Sequence, residues 1–156
     1  MDPIALVPVA IFLVIFNTVY FMVSRVSGWN KLAEKYGCAD SFMGSWKRFQ
    51  WAQVGLVNYR KCIWLGIAPD GLYITSGPLI FKCLYHKQLR IPWSAIESVQ
   101  FTTFWGMKVA ELTITGFDKK IKFQRRSLEG MERFLEGKLP AGSAVIELKQ
   151  KQWEKF

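Results

Sequence analysis

The chain opens on an unbroken apolar run and then changes period twice. From Ile4 to Val23, seventeen of twenty residues are apolar and none is charged. Extended to Val26, across Arg25 alone, the run holds 23 residues. At about 1.5 Å rise per residue it would reach roughly 35 Å, more than a hydrocarbon core of about 30 Å. Asp2 is placed to cap this helix, and Pro3 suits its first turn. Pro8 lies near the start, where a missing N–H costs little. A core helix with no polar face needs a large protein around it. A cleaved leader needs a basic n-region and a small-residue exit, but Asp2 and Tyr-Phe-Met-Val-Ser-Arg stand there instead. The pattern predicts a retained transmembrane anchor over residues 1–26.

Ser27-Gly28 ends the run, and the period becomes 3.6. Trp29, Leu32, Ala33 and Tyr36 recur at i, i+3, i+4 and i+7, with Lys31 and Lys35 on another face. Gly37 is placed to end the helix. An aromatic face flanked by lysines fits a helix lying in the membrane interface. The same face also fits packing on the domain that follows. Residues 27–44 are therefore expected to be an interfacial helix and linker, with Arg25, Trp29, Lys31, Lys35 and Tyr36 at the membrane surface.

From Ser45 the period shortens to two. SWKRFQWAQV, RKCIWLGIA, LYITS, LIFKCLY, QLRIPW, ESVQFTTF, MKVAELTIT and KIKFQ are short, strand-like runs. Turn signals separate them, among them Pro69-Asp70-Gly71, Gly77-Pro78 and Gly116-Phe117-Asp118. Many short strands between turns predict an antiparallel sandwich or a strongly bent barrel. Ser127 is then expected to cap a helix, LEGMERFLEGKL, with Leu128, Met131, Leu135 and Leu139 as its buried stripe. These elements make a β domain with a capping helix over residues 45–140. A tail over 141–156 follows.

Two segments carry a resemblance. Gly71-Leu72-Tyr73 in a strand is followed by Ile91-Pro92-Trp93-Ser94 with Ile96 at a corner. This pairing, and the order of strands before one late helix, resembles the bacterial PH and GRAM-type domains of the pleckstrin-homology-like superfold. GWNKLAEKYG is similar to a segment of small bacterial membrane-anchored proteins. The resemblance spans roughly residues 28–139. It implies one transmembrane helix followed by a mainly antiparallel β PH-like sandwich or barrel closed by a C-terminal helix, in a bacterial inner membrane. It implies no particular activity, because such folds serve lipid binding, peptide binding and scaffolding alike. Pro92 itself marks a strand end or edge, and Trp93 is expected in the core.

Charge refines this picture. The chain has 156 residues with 21 Lys+Arg against 12 Asp+Glu. Residues 25–61 hold seven basic and two acidic side chains, residues 62–126 nine and four, and residues 127–156 five and five. The excess therefore lies beside the anchor and on the strands. Basic residues follow the apolar run and none precedes it, so the N-terminus is expected outside and the bulk of the chain in the cytoplasm. There the three cysteines would be plain thiols.

Candidate chemistry is sparse. His86 lies three residues from Cys83, half of a zinc pattern whose other half is missing. Asp70 and Asp118 sit in turns. Glu129, Glu132 and Glu136 make a solvated face with Arg133 and Lys138. No phosphate-binding glycine motif is present. No catalytic residue, cofactor or metal is assigned, and the expectation is a non-enzyme.

The candidate lipid or partner contacts are Trp46, Lys47, Arg48, Arg60 and Lys61, with Asn17 as a helix–helix contact within the anchor. The expected partners are the lipid bilayer, another integral membrane protein or complex, and a second copy of the chain. Nucleic acid is not expected, since its recognition signatures are absent. A docking or scaffold subunit of a membrane complex is the expected role. An anionic-lipid headgroup module is the alternative.

Overall fold

The computed structural model describes residues 3–40, 42–77, 86–136 and 138. Helix α1 spans Pro3–Ser27 and α2 spans Trp29–Tyr36. Seven strands follow: β1 Trp46–Val54, β2 Val57–Ala68, β3 Gly71–Ser76, β4 Leu89–Ile91, β5 Ile96–Phe104, β6 Met107–Ile114 and β7 Ile121–Gln124. Short 3-10 turns cover Trp93–Ala95, Arg125–Leu128 and Glu132–Phe134.

The strands form one curled antiparallel sheet, a half-barrel, in the order β4-β3-β2-β1-β7-β6-β5. Two meanders are thus joined where β1 meets β7, through Ala52↔Phe123, Gln53↔Lys122 and Val54↔Ile121. The β2–β3 hairpin turns at the Pro69-Asp70-Gly71 signal, where Asp70 accepts the Tyr73 hydroxyl at 2.8 Å. Alternation directs Ile63, Leu65, Leu72, Ile74, Leu112, Ile114, Ile121 and Phe123 into a single core. Each such side chain contributes about 1.5–3 kcal/mol by leaving water. Trp93 joins them as expected. Its indole N–H donates to the Ala68 carbonyl at 2.8 Å, and its ring stacks on Phe134 at 4.8 Å.

Helix α1 is long and apolar enough to cross a membrane over Val7–Ser27. Its apolar side chains, among them Ile11, Phe12, Val14, Ile15 and Met22, are exposed on every side.

Among the described residues, the expected late helix is replaced by 3-10 turns. Gly130 adopts φ +87°, a left-handed conformation that breaks a helical run, and 3-10 turns flank it. The expected cap, Ser127, instead donates its hydroxyl to the Gln50 side chain at 2.8 Å. Leu128, Met131 and Leu135 are nevertheless buried as the stripe predicts, and Leu139 lies outside the described residues. The run read at 79–85 and the tail over 141–156 lie outside the described residues.

Candidate functional site

Two regions set this domain apart from an ordinary half-barrel. The first is the joint between α1 and the sheet. Gly28, at φ +82°, separates α2 from α1, and α2 packs against Tyr59 of β2, the segment before β4 and the end of β6. There Trp29 is 0% exposed, with its indole N–H donating to the Lys87 carbonyl at 2.9 Å. Its ring packs 5.0 Å from His86 and 5.7 Å from Tyr59. The Tyr59 hydroxyl and His86 Nε2 are 2.9 Å apart. Burial pushes the Tyr59 phenol up to about 12 and the His86 imidazole down to about 4, so the ring is neutral.

Polar contacts lock the same joint. The Ser24 hydroxyl donates to Asn30 Oδ1 at 2.6 Å, and the Trp29 amide donates to Ser27 Oγ at 3.1 Å. Lys119 Nζ reaches the Val26 carbonyl at 2.7 Å. A Cβ on Gly28 would stand 2.9 Å from the Phe117 ring, and one on Gly55 would stand 2.7 Å from the Ser27 carbonyl. The β1–β2 and β6–β7 turns therefore grip the end of α1 directly.

This burial corrects the interfacial assignment for two residues. Trp29 and Tyr36 do not face a membrane surface. Tyr36 is buried and donates its hydroxyl to the Thr115 carbonyl at 2.7 Å. An amphipathic face can be covered by lipid or by protein, and here the open end of the sheet covers it. Arg25 stays exposed, its guanidinium 5.0 Å from the Phe21 ring. Lys31 forms an exposed 3.7 Å pair with Asp118, and Lys35 donates to the Thr115 carbonyl at 3.0 Å. Asn17 is exposed on α1.

The second region is a groove of about 440 Å³ on the outer face of the sheet. Trp51 of β1 forms its apolar floor, 6.0 Å from Phe104 at the end of β5. Phe49 and Trp105 stand at its rim, 63% and 87% exposed. Arg60, Lys61 and Arg126 supply its cations.

The backbone around this groove is strained. Among the described residues three non-glycines have positive φ: Phe49 at 55°, Lys61 at 55° and Trp105 at 50°. All three line the groove. Each left-handed residue costs about 1–2 kcal/mol. Phe49 sits where the β1–β2 register shifts, between Lys47 and Gln50, and such bulges re-aim a side chain. Trp105-Gly106 is a two-residue hairpin loop with both φ values positive, closed by the Phe104↔Met107 pair. Asn, Asp or Gly suits the first position of that turn, and tryptophan does not. The groove offers cations and π-faces, while carboxylates, cysteines and histidines are absent from its lining.

The other sequence-predicted contacts are dispersed. Trp46 packs 4.8 Å from Phe42 and 6.5 Å from Trp64, whose ring also lies 5.2 Å from the Arg48 guanidinium. Lys47 donates to the Glu129 carbonyl. Arg60 and Lys61 alone reach the groove. Phe49, Trp51, Phe104, Trp105 and Arg126 were not singled out by the sequence. The signal that points to the rim is an aromatic residue where the two-residue turn favours Asn or Asp. Among the described residues no group of three or more His, Cys, Asp or Glu side chains is placed to hold a metal ion. His86 is among them, and Cys83 lies outside them.

Compared with known proteins, the chain matches no protein-family model, and no curated sequence is significantly similar to it.

Proposed function

We propose that this is a non-catalytic, single-pass membrane protein whose PH-like domain docks or scaffolds a partner within a membrane protein complex. The observation that carries the reading is the joint. An exposed apolar helix is fixed to the sheet by buried Trp29, by the Ser24–Asn30 bond and by Lys119 on the Val26 carbonyl. A flexible linker would serve a mere tether. A locked joint instead gives the domain a set stance relative to the helix, as presentation of a surface requires. The strand order supports the PH-like part of the reading. The basic residues after α1 favour a cytoplasmic domain in a bacterial inner membrane.

The headgroup alternative has less support. Its cations are spread over the fold. Lys31 and Lys35 are at the joint, Lys47 is on the Glu129 carbonyl, Arg48 is on Trp64, and Arg60 and Lys61 are in the groove. A headgroup site needs its cations together.

Mild-detergent purification of the full chain tests the docking reading. The expected result is stoichiometric recovery of another integral membrane protein, lost when Gly28 is replaced by a flexible Gly-Ser insertion. Recovery of the chain alone would sink it. A C-terminal reporter active only outside the cytoplasm would overturn the orientation, and unchanged membrane retention after deletion of residues 1–26 would overturn the anchor.

A further inference from the structure

We infer that the outer-face groove of Phe49, Trp51, Arg60, Phe104, Trp105 and Arg126 is a recognition site for a short acidic peptide segment of a protein partner, one that carries apolar anchors between its carboxylates. The inference rests on the docking reading and gives it a location and a partner chemistry.

Four observations converge on it. The three strained non-glycine residues meet in this one groove. Strain of that kind persists where the surroundings enforce it, and it gathers at ligand clamps. Second, the strain leaves large aromatics in water. Trp105 occupies a turn position that favours Asn or Gly, and its indole is 87% exposed. Exposed Trp beside Arg is the composition of an interface anchor.

Third, the groove is electrostatically one-sided. Lys120 and Lys122, also cationic, are taken by Glu111 at 2.8 and 2.9 Å. Arg60, Lys61 and Arg126 have no ion-pair partner among the described residues, and no carboxylate lines the groove. Arginine is suited to bidentate capture of carboxylates.

Fourth, size and place select the class of partner. About 440 Å³ accommodates a few side chains, as in a short segment. The cationic stretch is bounded. Lys122, 5.0 Å from the Phe104 ring, leads directly to the Glu111 carboxylate. A long phosphate track would run into that carboxylate, whereas a short peptide would stop before it. Bilayer lipid is disfavoured by position. The β6–β7 turn grips α1, while Trp105 lies at the opposite end of the eight-residue strand β6. At about 3.3 Å per residue that separation is roughly 25 Å.

The test uses the full chain in phosphatidylcholine nanodiscs. The probe is a short fluorescein-labelled peptide alternating Asp or Glu with Phe and Leu, read by anisotropy. The expected result is saturable binding that weakens about tenfold or more in Trp105→Asn and in the double variant Arg60→Glu/Arg126→Glu. Arg90→Glu, on β4, should bind as the wild type does. Trp105→Asn also relieves the turn, so its Tm should equal or exceed that of the wild type. A loss of binding then cannot come from unfolding.

Several results would overturn the assignment. They are no saturable binding, equal binding by the variants, or equal binding of a probe with every Asp and Glu replaced by Asn and Gln. Oligothymidylate, or nanodiscs containing phosphatidylglycerol, engaging the groove in place of the peptide would overturn it as well. A membrane complex that still co-purifies with both groove variants would remove the groove and leave the docking reading intact. Absence of any complex would remove the docking reading first.

Discussion

Trp29→Ala separates a buried joint from a membrane-facing helix. The ring is 0% exposed, stands against His86 and Tyr59, and its N–H is bonded to the Lys87 carbonyl at 2.9 Å. Truncating a buried tryptophan to alanine costs about 3–5 kcal/mol through lost transfer energy and the cavity left behind. Loss of the bond to Lys87 adds about 1 kcal/mol. A total near 4–6 kcal/mol is a large share of the roughly 5–15 kcal/mol that holds a domain together. At about 4 °C per kcal/mol the melting temperature should fall by roughly 15–25 °C. Trp29→Phe keeps most of the ring and loses the donor, so it should cost about 1–2 kcal/mol. The assay is thermal and urea unfolding of the full chain in detergent, followed by near-UV circular dichroism. A shift of only a few degrees for Trp29→Ala, with weaker association to anionic membranes, would refute the burial argument and restore this residue to the interface.

Gly28→Ala meets two penalties, φ +82° and a Cβ 2.9 Å from the Phe117 ring, whereas Gly106→Ala at φ +75° meets open space. The first should lose about 2 kcal/mol or more and the second about 1 kcal/mol in urea titration, and equal losses would remove the steric part. His86 is held neutral with its pKa lowered to about 4. The unfolded chain therefore binds the extra proton first, and stability should fall by about 2–3 kcal/mol as pH drops from about 6.5 to about 4. His86→Gln should flatten that part of the pH profile, and an unchanged slope would exclude the ring as its source. For Glu111, burial raises the carboxyl pKa, but bonds from Lys120 and Lys122 outweigh it and the net shift is down. Its contribution is present above the ordinary carboxyl range and lost as pH falls through the lowered value, so Glu111→Gln should cost about 1 kcal/mol at pH 7 and little in acid, read by chemical denaturation.

The amino-acid sequence by itself determines the elements whose physics is local. A run of twenty residues with seventeen apolar and none charged predicts an apolar helix, and α1 is one. Pro69-Asp70-Gly71 turns the chain with its own side chains, and period-two runs on either side become β2 and β3. Period also identifies Leu128, Met131 and Leu135 as buried, because burial needs only an apolar side chain and a nearby core. It does not reveal that Gly130 would turn left-handed, or that Gln50, distant in sequence, would take the Ser127 hydroxyl meant for a cap. Trp29, Leu32 and Tyr36 mark an apolar face, and that pattern fits lipid and protein equally. The sheet end formed by Tyr59, His86 and the Thr115 carbonyl decides between them. The groove was hidden for the same reason. Its residues come from β1, β2, the β5–β6 hairpin, β7 and the 3-10 turn after it, and no spacing along the chain links Phe49 to Trp105 or Arg126. Antiparallel pairing brings them together, and the strained backbone that aims them exists only once the register is set.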